Sequence, residues 1–283
     1  ITKAAEILYI SQPALSRRIK SLESELQYKL FIRQKGVRNI TLTPQGEAFV
    51  LIAEKWKELW LETKDISPIS KNTMFHISAI DSINSYILSK VYKTFIEENN
   101  HIHLVIHNLH SQDSYKYVEN KLVNLGFISD DMYSKDVKTV PIFSEKMCFI
   151  SNTENNYPNV VHPSNLDCKW EIRLPWNPEF DKWHNYWFGT TSKSLIIVDK
   201  MSILDDFLQI KNSWAIVPFS IGNWLVKNNK NLQISELEEA PPDRIYYYIQ
   251  HINYKSEYVD KFLRILQKYL ETIPGIVVLL KYI

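Results

Sequence analysis

Apolar residues near the amino terminus recur at helical spacing in two neighbouring segments. Ala4, Ala5 and Leu8 share one face and predict a short first helix. Ser11 then supplies a hydroxyl that can cap free amides, and Pro13 follows in the first turn, where the missing N–H of a proline does no harm. This pair predicts that a second helix begins here.

The predicted second helix has one apolar face and one polar face. The apolar face must be buried, and it is formed by Leu15, Ile19, Leu22 and Leu26. The polar face carries the hydroxyl, amide and guanidinium groups that are needed to read the DNA major groove and to contact phosphates. Its members are Gln12, Pro13, Ser16, Arg17, Arg18 and Lys20.

A hairpin and a long helix are predicted next. The stretch 33–41 is basic, alternates and turns at Gly36, which predicts a β-hairpin that lies along a DNA backbone. Thr43 and Pro44 then open another helix. Together with the two helices before it, the hairpin predicts a winged helix-turn-helix.

The long helix carries an apolar seam. Apolar residues recur there at the intervals of a short coiled coil, and they are Phe49, Ile52, Trp56 and Leu59. A seam predicts a partner helix. A symmetric dimer formed in this way would match DNA half-sites one helical turn apart.

A polar segment near 65–73 predicts a hinge, and the pattern changes after it. Short apolar strands now alternate with helices, which predicts parallel sheets covered by helices, with ligands at the carboxyl ends of the strands. The predicted strands are 75–80, 104–109, 125–128, 147–150, 195–198, 214–217 and 244–252. The predicted helices are 86–98, 115–122, 203–210 and 257–270.

Length and composition limit the classes of protein. A chain of 283 residues favours two or three domains, and 45% apolar with 23% charged residues is ordinary for globular proteins, which excludes disorder, collagen and a coiled-coil rod. The longest apolar run, 276–280, is too short to span a membrane, and no secretory leader opens the chain, so we expect a soluble, cytoplasmic protein. Cys148 and Cys168 are expected to be reduced core thiols. With six glycines in all, we expect no Gly-rich phosphate loop.

Charge is distributed unevenly. Residues 1–46 hold eight Lys or Arg against three Glu, whereas the remaining 237 residues hold 25 against 29 acidic residues. A small basic unit joined to a slightly acidic body indicates a polyanionic partner for the small unit.

The basic unit resembles the DNA-binding domain of LysR-type transcriptional regulators. The resemblance rests on residues at fixed spacing: TKAAEIL at 2–8, SQPALSRRI at 11–19, Leu22-Glu23, Leu26, LFIR at 30–33 and LTPQG at 42–46. Two departures stand out. Gln27 occupies the position where the family usually has glycine, which predicts a reshaped turn. The family also has a further helix upstream of Ile1, so we expect this numbering to begin inside the domain.

The resemblance implies a DNA-contacting role for several positions. Thr2 and Lys3 would meet a phosphate. The groove would be faced by Ser11, Gln12, Pro13, Ser16 and Arg17. Arg18 and Lys20 would lie beside the backbone. The wing would be supported by Arg33, Lys35, Arg38 and Thr41.

The body resembles the LysR-type effector domain, which has two Rossmann-like lobes. The matching pieces are VDKMSIL at 198–204, WAIVP at 214–218 and NLGFI at 124–128. The implied boundaries are 1–43 for the winged helix-turn-helix, 44–66 for the linker and dimerisation helix, 67–73 for the hinge and 74–283 for the effector domain. Lobe I would take about 74–142 and 253–283, lobe II about 143–252, with crossings near 143–150 and 246–251.

An effector pocket between the lobes is predicted from the ends of the strands. From lobe I, we expect Asp81, Ser82, Asn84, Ser111 and Phe127; from lobe II, we expect Lys200, Met201 and Ser202. Ser82 matches a position where the family often has Ser or Thr, but Ile80 replaces another common hydroxyl. Asp81 would repel an anion, which argues against the carboxylate effector that is usual in the family.

Two other clusters have simpler explanations. His101, His103, His107 and His110 crowd one predicted strand, and without a supporting cluster of Cys or carboxylates we expect solvated histidines and no metal. The aromatic stretch of Trp170, Trp176, Trp183, Tyr186, Trp187 and Phe188 could form a cage for a flat or cationic ligand, but helix packing is favoured. We find no catalytic Ser-His-Asp, His-Glu-x-x-His or Walker motif.

The leading hypothesis is a bacterial α/β protein of the LysR type: a DNA-binding transcriptional regulator, without cofactor or catalysis, that responds to a small-molecule effector between the lobes. Its partners would be promoter DNA, the effector and further copies of itself in a homodimer or homotetramer. One alternative is a small-molecule binding protein whose N-terminal helices serve only oligomerisation; another is an enzyme that uses the α/β body. Steeply salt-dependent DNA affinity would favour the regulator.

Overall fold

A computed structural model of the chain describes residues 2–33, 40–64 and 73–281. The chain forms two compact units, 1–70 and 71–283, and their division falls inside the segment 67–73. None of the described helices is long and apolar enough to cross a membrane.

Unit 1 has the predicted helices and hairpin strands. Its helices are α1 (Thr2–Ile7), α2 (Gln12–Leu26) and α3 (Pro44–Lys64), and its strands are β1 (Phe31–Arg33) and β2 (Ile40–Leu42). α2 begins where Ser11 Oγ accepts a hydrogen bond from Ala14 N at 3.3 Å. β1 and β2 pair antiparallel, with Phe31 opposite Leu42. The tip of the hairpin, 34–39, lies outside the described residues.

The turn after α2 keeps a left-handed conformation although it has no glycine. Gln27 has φ 60° and ψ 19°, and its Nε2 donates to Ser24 O at 2.6 Å. A side chain in this region costs about 1–2 kcal/mol. Gln27 therefore holds, at an energetic cost, a conformation that glycine adopts freely.

Glu23 fastens this turn to the start of β1. Its side chain is buried, and Oε1 accepts from Leu30 N at 2.9 Å and from Phe31 N at 3.3 Å, while Lys29 Nζ lies 3.1 Å from Oε2. Burial raises the pKa of Glu23, but the hydrogen bonds from Leu30, Lys29 and Phe31 outweigh it and hold the pKa below its ordinary value.

The start of α3 is joined tightly to the same turn. Thr43 N donates to Leu30 O at 3.0 Å, Thr43 Oγ1 donates to Lys29 O at 2.5 Å, and Thr43 Oγ1 accepts from Gly46 N at 2.9 Å. A Cβ at Gly46 would lie 2.2 Å from Leu30 O. Only glycine fits here, which explains the sequence Thr43-Pro44-Gln45-Gly46 in physical terms.

Unit 2 contains twelve strands and seven helices among its described residues. The strands are β3 (Thr73–Ala79), β4 (Ile102–Asn108), β5 (Leu125–Ile128), β6 (Val137–Glu145), β7 (Met147–Asn152), β8 (Val160–Val161), β9 (Ile172–Arg173), β10 (Ile196–Ile197), β11 (Trp214–Pro218), β12 (Leu232–Leu237), β13 (Arg244–His251) and β14 (Ile276–Val278). The helices are α4 (Asp81–Ile83), α5 (Ser89–Glu98), α6 (Ser111–Glu119), α7 (Pro178–Phe188), α8 (Leu204–Phe207), α9 (Phe219–Asn228) and α10 (Glu257–Leu270). A π-helical turn, Asn84–Leu88, joins α4 to α5, and 3₁₀ turns include Cys168–Trp170 and Met201–Ile203.

Lobe I is a six-stranded sheet in the order β14-β6-β13-β5-β3-β4. β3 is parallel to β4 and β5, whereas β13 runs antiparallel to both β5 and β6. The predicted all-parallel sheet is therefore corrected to a mixed one. The reason is that β6 leads out to lobe II and β13 leads back, so neither is reached by a strand-helix-strand crossover within one sheet.

Lobe II is built on a four-stranded sheet in the order β11-β7-β12-β8, beside the parallel pair β9 and β10. Each lobe has its own apolar core, around Phe75, Phe95 and Phe262 in lobe I and around Phe149 and Trp214 in lobe II. The chain crosses between the lobes at Lys146 and within 238–243. β13 belongs wholly to the sheet of lobe I, which corrects the expected crossing at 246–251 and the lobe II boundary at 252.

We predict that Glu23→Ala destabilises unit 1 by about 1–3 kcal/mol, because two backbone N–H groups, of Leu30 and Phe31, lose their acceptor. The measurement is urea unfolding of the full chain, followed by amide exchange of 23–31. Glu25→Gln, an exposed neighbour on α2, is the matched control. Equal stability of both variants would contradict the role of Glu23.

The same carboxylate predicts a pH dependence. Because the folded-state pKa of Glu23 is depressed, its stabilisation is complete above the unfolded pKa of about 4.3 and is lost as the pH falls through the folded value. The acid-induced loss of protection at Leu30 should therefore be smaller in Glu23→Gln than in the parent chain.

Candidate functional site

The polar face of α2 is open to solvent. Gln12, Pro13, Arg17, Arg18 and Lys20 are exposed, as is Ser11 at the cap. Ser16 is half-buried and its Oγ accepts from Gln12 Nε2 at 3.2 Å. Within the part of the chain that the structure describes, Arg17, Arg18 and Lys20 form no ion pair. The face therefore presents free cations and hydrogen-bonding groups to a ligand.

The other expected DNA contacts are described in part. Thr2 and Lys3 are exposed on α1, and Thr41 is exposed on β2. Arg33 ends β1, but its side chain lies outside what the structure describes, and so do Lys35 and Arg38.

The seam of α3 is exposed within the single chain. Ile52 is 43% exposed, Trp56 59% and Leu59 56%, while Phe49 is half-buried with its ring edge-on to Trp56 at 6.2 Å. Large apolar side chains grouped on one surface are typical of interaction sites.

A cavity of about 400 Å³ lies between the two lobes of unit 2. Lobe I supplies segments that follow its parallel strands, and lobe II supplies the chain after β9 and β10. The lining residues are 80–82, 110–113, 129–130, 174–176, 198–199, Met201 and Arg244.

Half of the predicted effector residues line this cavity. They are Asp81, Ser82, Ser111 and Met201. The other half, Asn84, Phe127, Lys200 and Ser202, do not line it.

Each of the four that do not line the cavity has a physical reason. Phe127 is fully buried, because its position on β5 directs the ring into the core of lobe I. Asn84 lies in the π-helical turn and accepts from Tyr92 OH at 2.8 Å. Lys200 and Ser202 flank buried Met201 and are exposed, since neighbouring residues of a tight turn face opposite ways.

Asp81 links the two lobes. Its Oδ2 accepts from Met201 N of lobe II at 2.9 Å, and its Oδ1 accepts from Asn108 Nδ2 at 3.2 Å. Both carboxylate oxygens therefore already have donors from the protein.

Arg244 is the residue that sequence reasoning missed. It is 4% exposed, its Nη2 donates to Ser129 Oγ at 2.9 Å, and its guanidinium carbon lies 4.5 Å from the ring centre of Trp176 and 5.2 Å from that of Tyr246. Its Nε and Nη1 have no hydrogen-bond partner among the described residues. A buried cation with two free donors beside a cavity is suited to an anionic ligand.

A buried carboxylate lies beside Arg244 on the next strand. Glu145 pairs with Arg244 in the register of β6 and β13, and it accepts from Ser220 N at 2.7 Å and from Ser220 Oγ at 3.0 Å. Burial raises the pKa of Glu145, although the hydrogen bonds from Ser220 and Tyr246 and the charge of Arg244 act in the opposite direction.

The cavity also has an unsatisfied acidic group. Asp130 Oδ1 is buried and has no hydrogen-bond partner among the described residues. Asp113 of lobe I and Asp199 of lobe II also line the cavity. One cation and several carboxylates thus face one small volume.

The histidines and the aromatic stretch follow the simpler explanation for the most part. His101, just before the edge strand β4, and His103 within it are exposed. The ring of His107 stacks on that of His76, and His76 Nδ1 lies 3.2 Å from His107 Nε2. Most of the aromatic stretch packs within lobe II. Trp176 belongs to this core and also lines the cavity, and its indole N–H donates to Ile216 O at 2.8 Å, whereas Tyr186 is exposed.

Comparison with known proteins identifies two matching families. Residues 1–47 match "Bacterial regulatory helix-turn-helix protein, lysR family", and residues 70–271 match "LysR substrate binding domain".

Relatives match over most of the chain at low identity. An uncharacterised HTH-type transcriptional regulator of Bacillus subtilis, YkuM, is 24% identical over 220 residues, which is 76% of this chain and 74% of the relative. An uncharacterised HTH-type regulator from the lacR 5′ region of Staphylococcus xylosus is 21% identical over 266 residues, covering 93% and 92%.

Two solved structures share the fold. Full-length CbnR in complex with its target DNA has a TM-score of 0.66 at 16% identity, covering 95% of this chain and 93% of that one. Full-length BenM has a TM-score of 0.57 at 19% identity, covering 97% and 93%.

We predict that Asp81→Ala weakens the link between the lobes. A hydrogen bond to a charged acceptor contributes about 1.5–3 kcal/mol, so the free energy of local opening at the Met201 amide should fall by that amount. The measurement is hydrogen exchange at Met201. Ser85→Ala is the control, since Ser85 Oγ donates to Asp81 Oδ1 at 3.5 Å, whereas Met201 N donates to Oδ2. Unchanged exchange at Met201 in Asp81→Ala would show that the link contributes nothing.

Proposed function

Because the chain belongs to the LysR family of bacterial transcriptional regulators, we propose that it binds promoter DNA through α2 and takes a compact zwitterionic effector in the cavity between its lobes. No catalytic step is part of this proposal, and such a regulator would act in the cytoplasm. The observation that carries the effector assignment is the buried pair of unsatisfied groups, Arg244 and Asp130, on one cavity wall.

The DNA interface is supported by the exposed cations of α2. Arg17 would read base edges from the groove, with Ser11, Gln12, Pro13 and Ser16 around it. Arg18 and Lys20 would lie beside the backbone, Thr2 and Lys3 would meet a phosphate, and the wing would add contacts from Arg33, Lys35, Arg38 and Thr41.

Dimerisation is proposed through α3. Phe49, Ile52, Trp56 and Leu59 would be covered by the same helix of a second copy, in a homodimer or a homotetramer built from it. The exposure of Trp56 and Leu59 in the single chain supports this assignment.

The effector is characterised by the charges that would meet it. The positive charge of Arg244, which lines the cavity, would attract an anionic group, with Ser82 and Ser111 nearby. Asp130 and Asp113 of lobe I and Asp199 of lobe II, which all line the cavity, would face a cationic group. A molecule that carries only negative charge would be repelled by these carboxylates.

The volume sets the size of the effector. About 400 Å³ is enough for a small metabolite. Asp81 already holds Met201 across the cavity, so the effector would be added to an existing contact between the lobes.

Regulation would follow from a shift of population. An effector that contacts both lobes favours the arrangement in which its groups are paired, and it can move DNA binding only as far as its affinities for the two arrangements differ. The rival function, a binding protein whose N-terminal helices serve only oligomerisation, leaves the free cations of α2 without a role.

We predict that Arg17→Ala weakens operator binding by about 1–3 kcal/mol and relaxes sequence preference, whereas Lys35→Ala weakens binding to all sequences alike. The measurement is DNA affinity at several salt concentrations, on operator and scrambled duplexes, with a chain that carries the upstream helix. Lys227→Ala, an exposed lysine of unit 2, is the control. A flat salt response of the parent chain would favour the rival function.

We predict that Arg244→Met abolishes the effector response and keeps basal DNA binding. Zwitterionic amino acids, dicarboxylates and primary amines of similar size are compared by their effect on melting temperature. Zwitterions should raise the melting temperature of the parent chain but not that of Arg244→Met. Lys200→Met is the control, because it removes an exposed cation that does not line the cavity, and it should respond like the parent chain. Stabilisation by dicarboxylates alone would reject the zwitterion, and an unchanged response of Arg244→Met would reject the site.

A further inference from the structure

A second cluster of functional groups lies in lobe II, on residues that do not line the effector cavity. Cys168, Glu171 and His184 direct one donor atom each to a common point. Cys168 Sγ lies 3.2 Å from Glu171 Oε2, His184 Nε2 lies 2.8 Å from the same oxygen, and Sγ and Nε2 are 4.0 Å apart. We propose that these three side chains form a binding site for a divalent transition-metal ion of the Zn²⁺ type.

The distances suit such an ion. Bonds of about 2.0–2.3 Å place the ligand atoms of a tetrahedral zinc site roughly 3.3–3.6 Å apart. Each of the three observed separations needs to change by no more than about half an ångström to reach that range. The spacing Cys-x2-Glu-x12-His also resembles that of zinc sites, in which two nearby ligands precede a distant histidine.

Burial supports a ligand role for two of the residues. Glu171 is 1% exposed and His184 is fully buried. His184 Nε2 faces the cluster and has its hydrogen-bond partner, Glu171 Oε2, there. Phe180 and Phe188 pack on the ring and hold its orientation.

The charge of the cluster also favours a cation. On binding, the Cys168 thiol would release its proton to solvent, and a sulfur–metal bond would replace its hydrogen bond to Glu171. Thiolate, carboxylate, imidazole and a divalent ion together are electrically neutral.

The donor set selects the kind of metal. Sulfur and imidazole nitrogen are poor ligands for Mg²⁺ and Ca²⁺ and good ones for Zn²⁺ and its neighbours. Three protein ligands leave a fourth position for water, and Cys168 is only partly buried, which gives an ion a route of entry.

The position of the site gives it a structural consequence. Its ligands come from the 3₁₀ turn Cys168–Trp170, from the residue before β9 and from α7. The chain continues from β9 to 174–176 in the wall of the effector cavity. A bound ion would therefore fasten three elements together next to that wall. The site itself does not depend on the proposed function.

Cobalt titration of the metal-free full chain tests the site, because Co²⁺ bound by a thiolate gives a charge-transfer band in the near ultraviolet. We expect one Co²⁺ per chain with this band, and displacement by Zn²⁺, which binds such sites more tightly. Cys168→Ser should abolish the band. His184→Gln should weaken the affinity for Co²⁺ by more than roughly 100-fold, which is the most that loss of a group hydrogen-bonded to a ligand usually costs. Cys148→Ala, which removes the other thiol, should keep the band.

Melting temperature separates ligand loss from misfolding. Zn²⁺ should raise the melting temperature of the parent chain and of Cys148→Ala but not that of Cys168→Ser, while the metal-free parent and Cys168→Ser should melt alike. A titration without the charge-transfer band would overturn the proposal even if Zn²⁺ raised the melting temperature, because the exposed histidines His101 and His103 could then be the ligands. Survival of the band in Cys168→Ser would overturn it as well.

Discussion

A buried carboxyl group and a buried guanidinium group occupy adjacent strands where the chain passes between the lobes. Glu145 ends β6 and Arg244 begins β13, and the two are in register. Removing either group from water is costly, so each needs partners. Glu145 accepts hydrogen bonds from the backbone N–H and the hydroxyl of Ser220 in the first turn of α9, and these bonds position that helix. Arg244, by contrast, has only Ser129 as a hydrogen-bond acceptor among the described residues. The crossing, the start of α9 and the ligand-facing side of the cavity thus follow from one electrostatic constraint.

Much of unit 1 could be predicted because its signals are local. The Ser11 cap, Pro13 in the first turn and the apolar stripe of α2 lie within one stretch of sequence, and each specifies backbone geometry through neighbours a few residues away. The parallel strands of lobe I were also predicted, since β3, β4 and β5 alternate with helices. The mixed character of the sheet was not, because antiparallel pairing of β6 and β13 depends on the intervening excursion of the chain through lobe II.

The candidate cavity shows where local reasoning ends. Asp81, Ser82 and Ser111 were found because the residue that follows a parallel strand must lie at the carboxyl edge of the sheet. Phe127 and Lys200 were misplaced because spacing alone does not tell which way a side chain faces at the end of a short strand or in a turn. Arg244 was missed because its hydrogen-bond partner, Ser129, is 115 residues away in sequence, and only the folded chain brings the two together.

The junction at Gly46 has a mechanical consequence. The backbone of Gly46 packs directly against the backbone of Leu30, with no side chain between them. Thr43 Oγ1 adds hydrogen bonds to Lys29 O and from Gly46 N. A rotation applied to α3 from outside unit 1 would turn α2 with it, through the shared anchor at Leu30 and Glu23. α2, which carries Arg17, and α3, which carries Trp56, would thus rotate together as one rigid body.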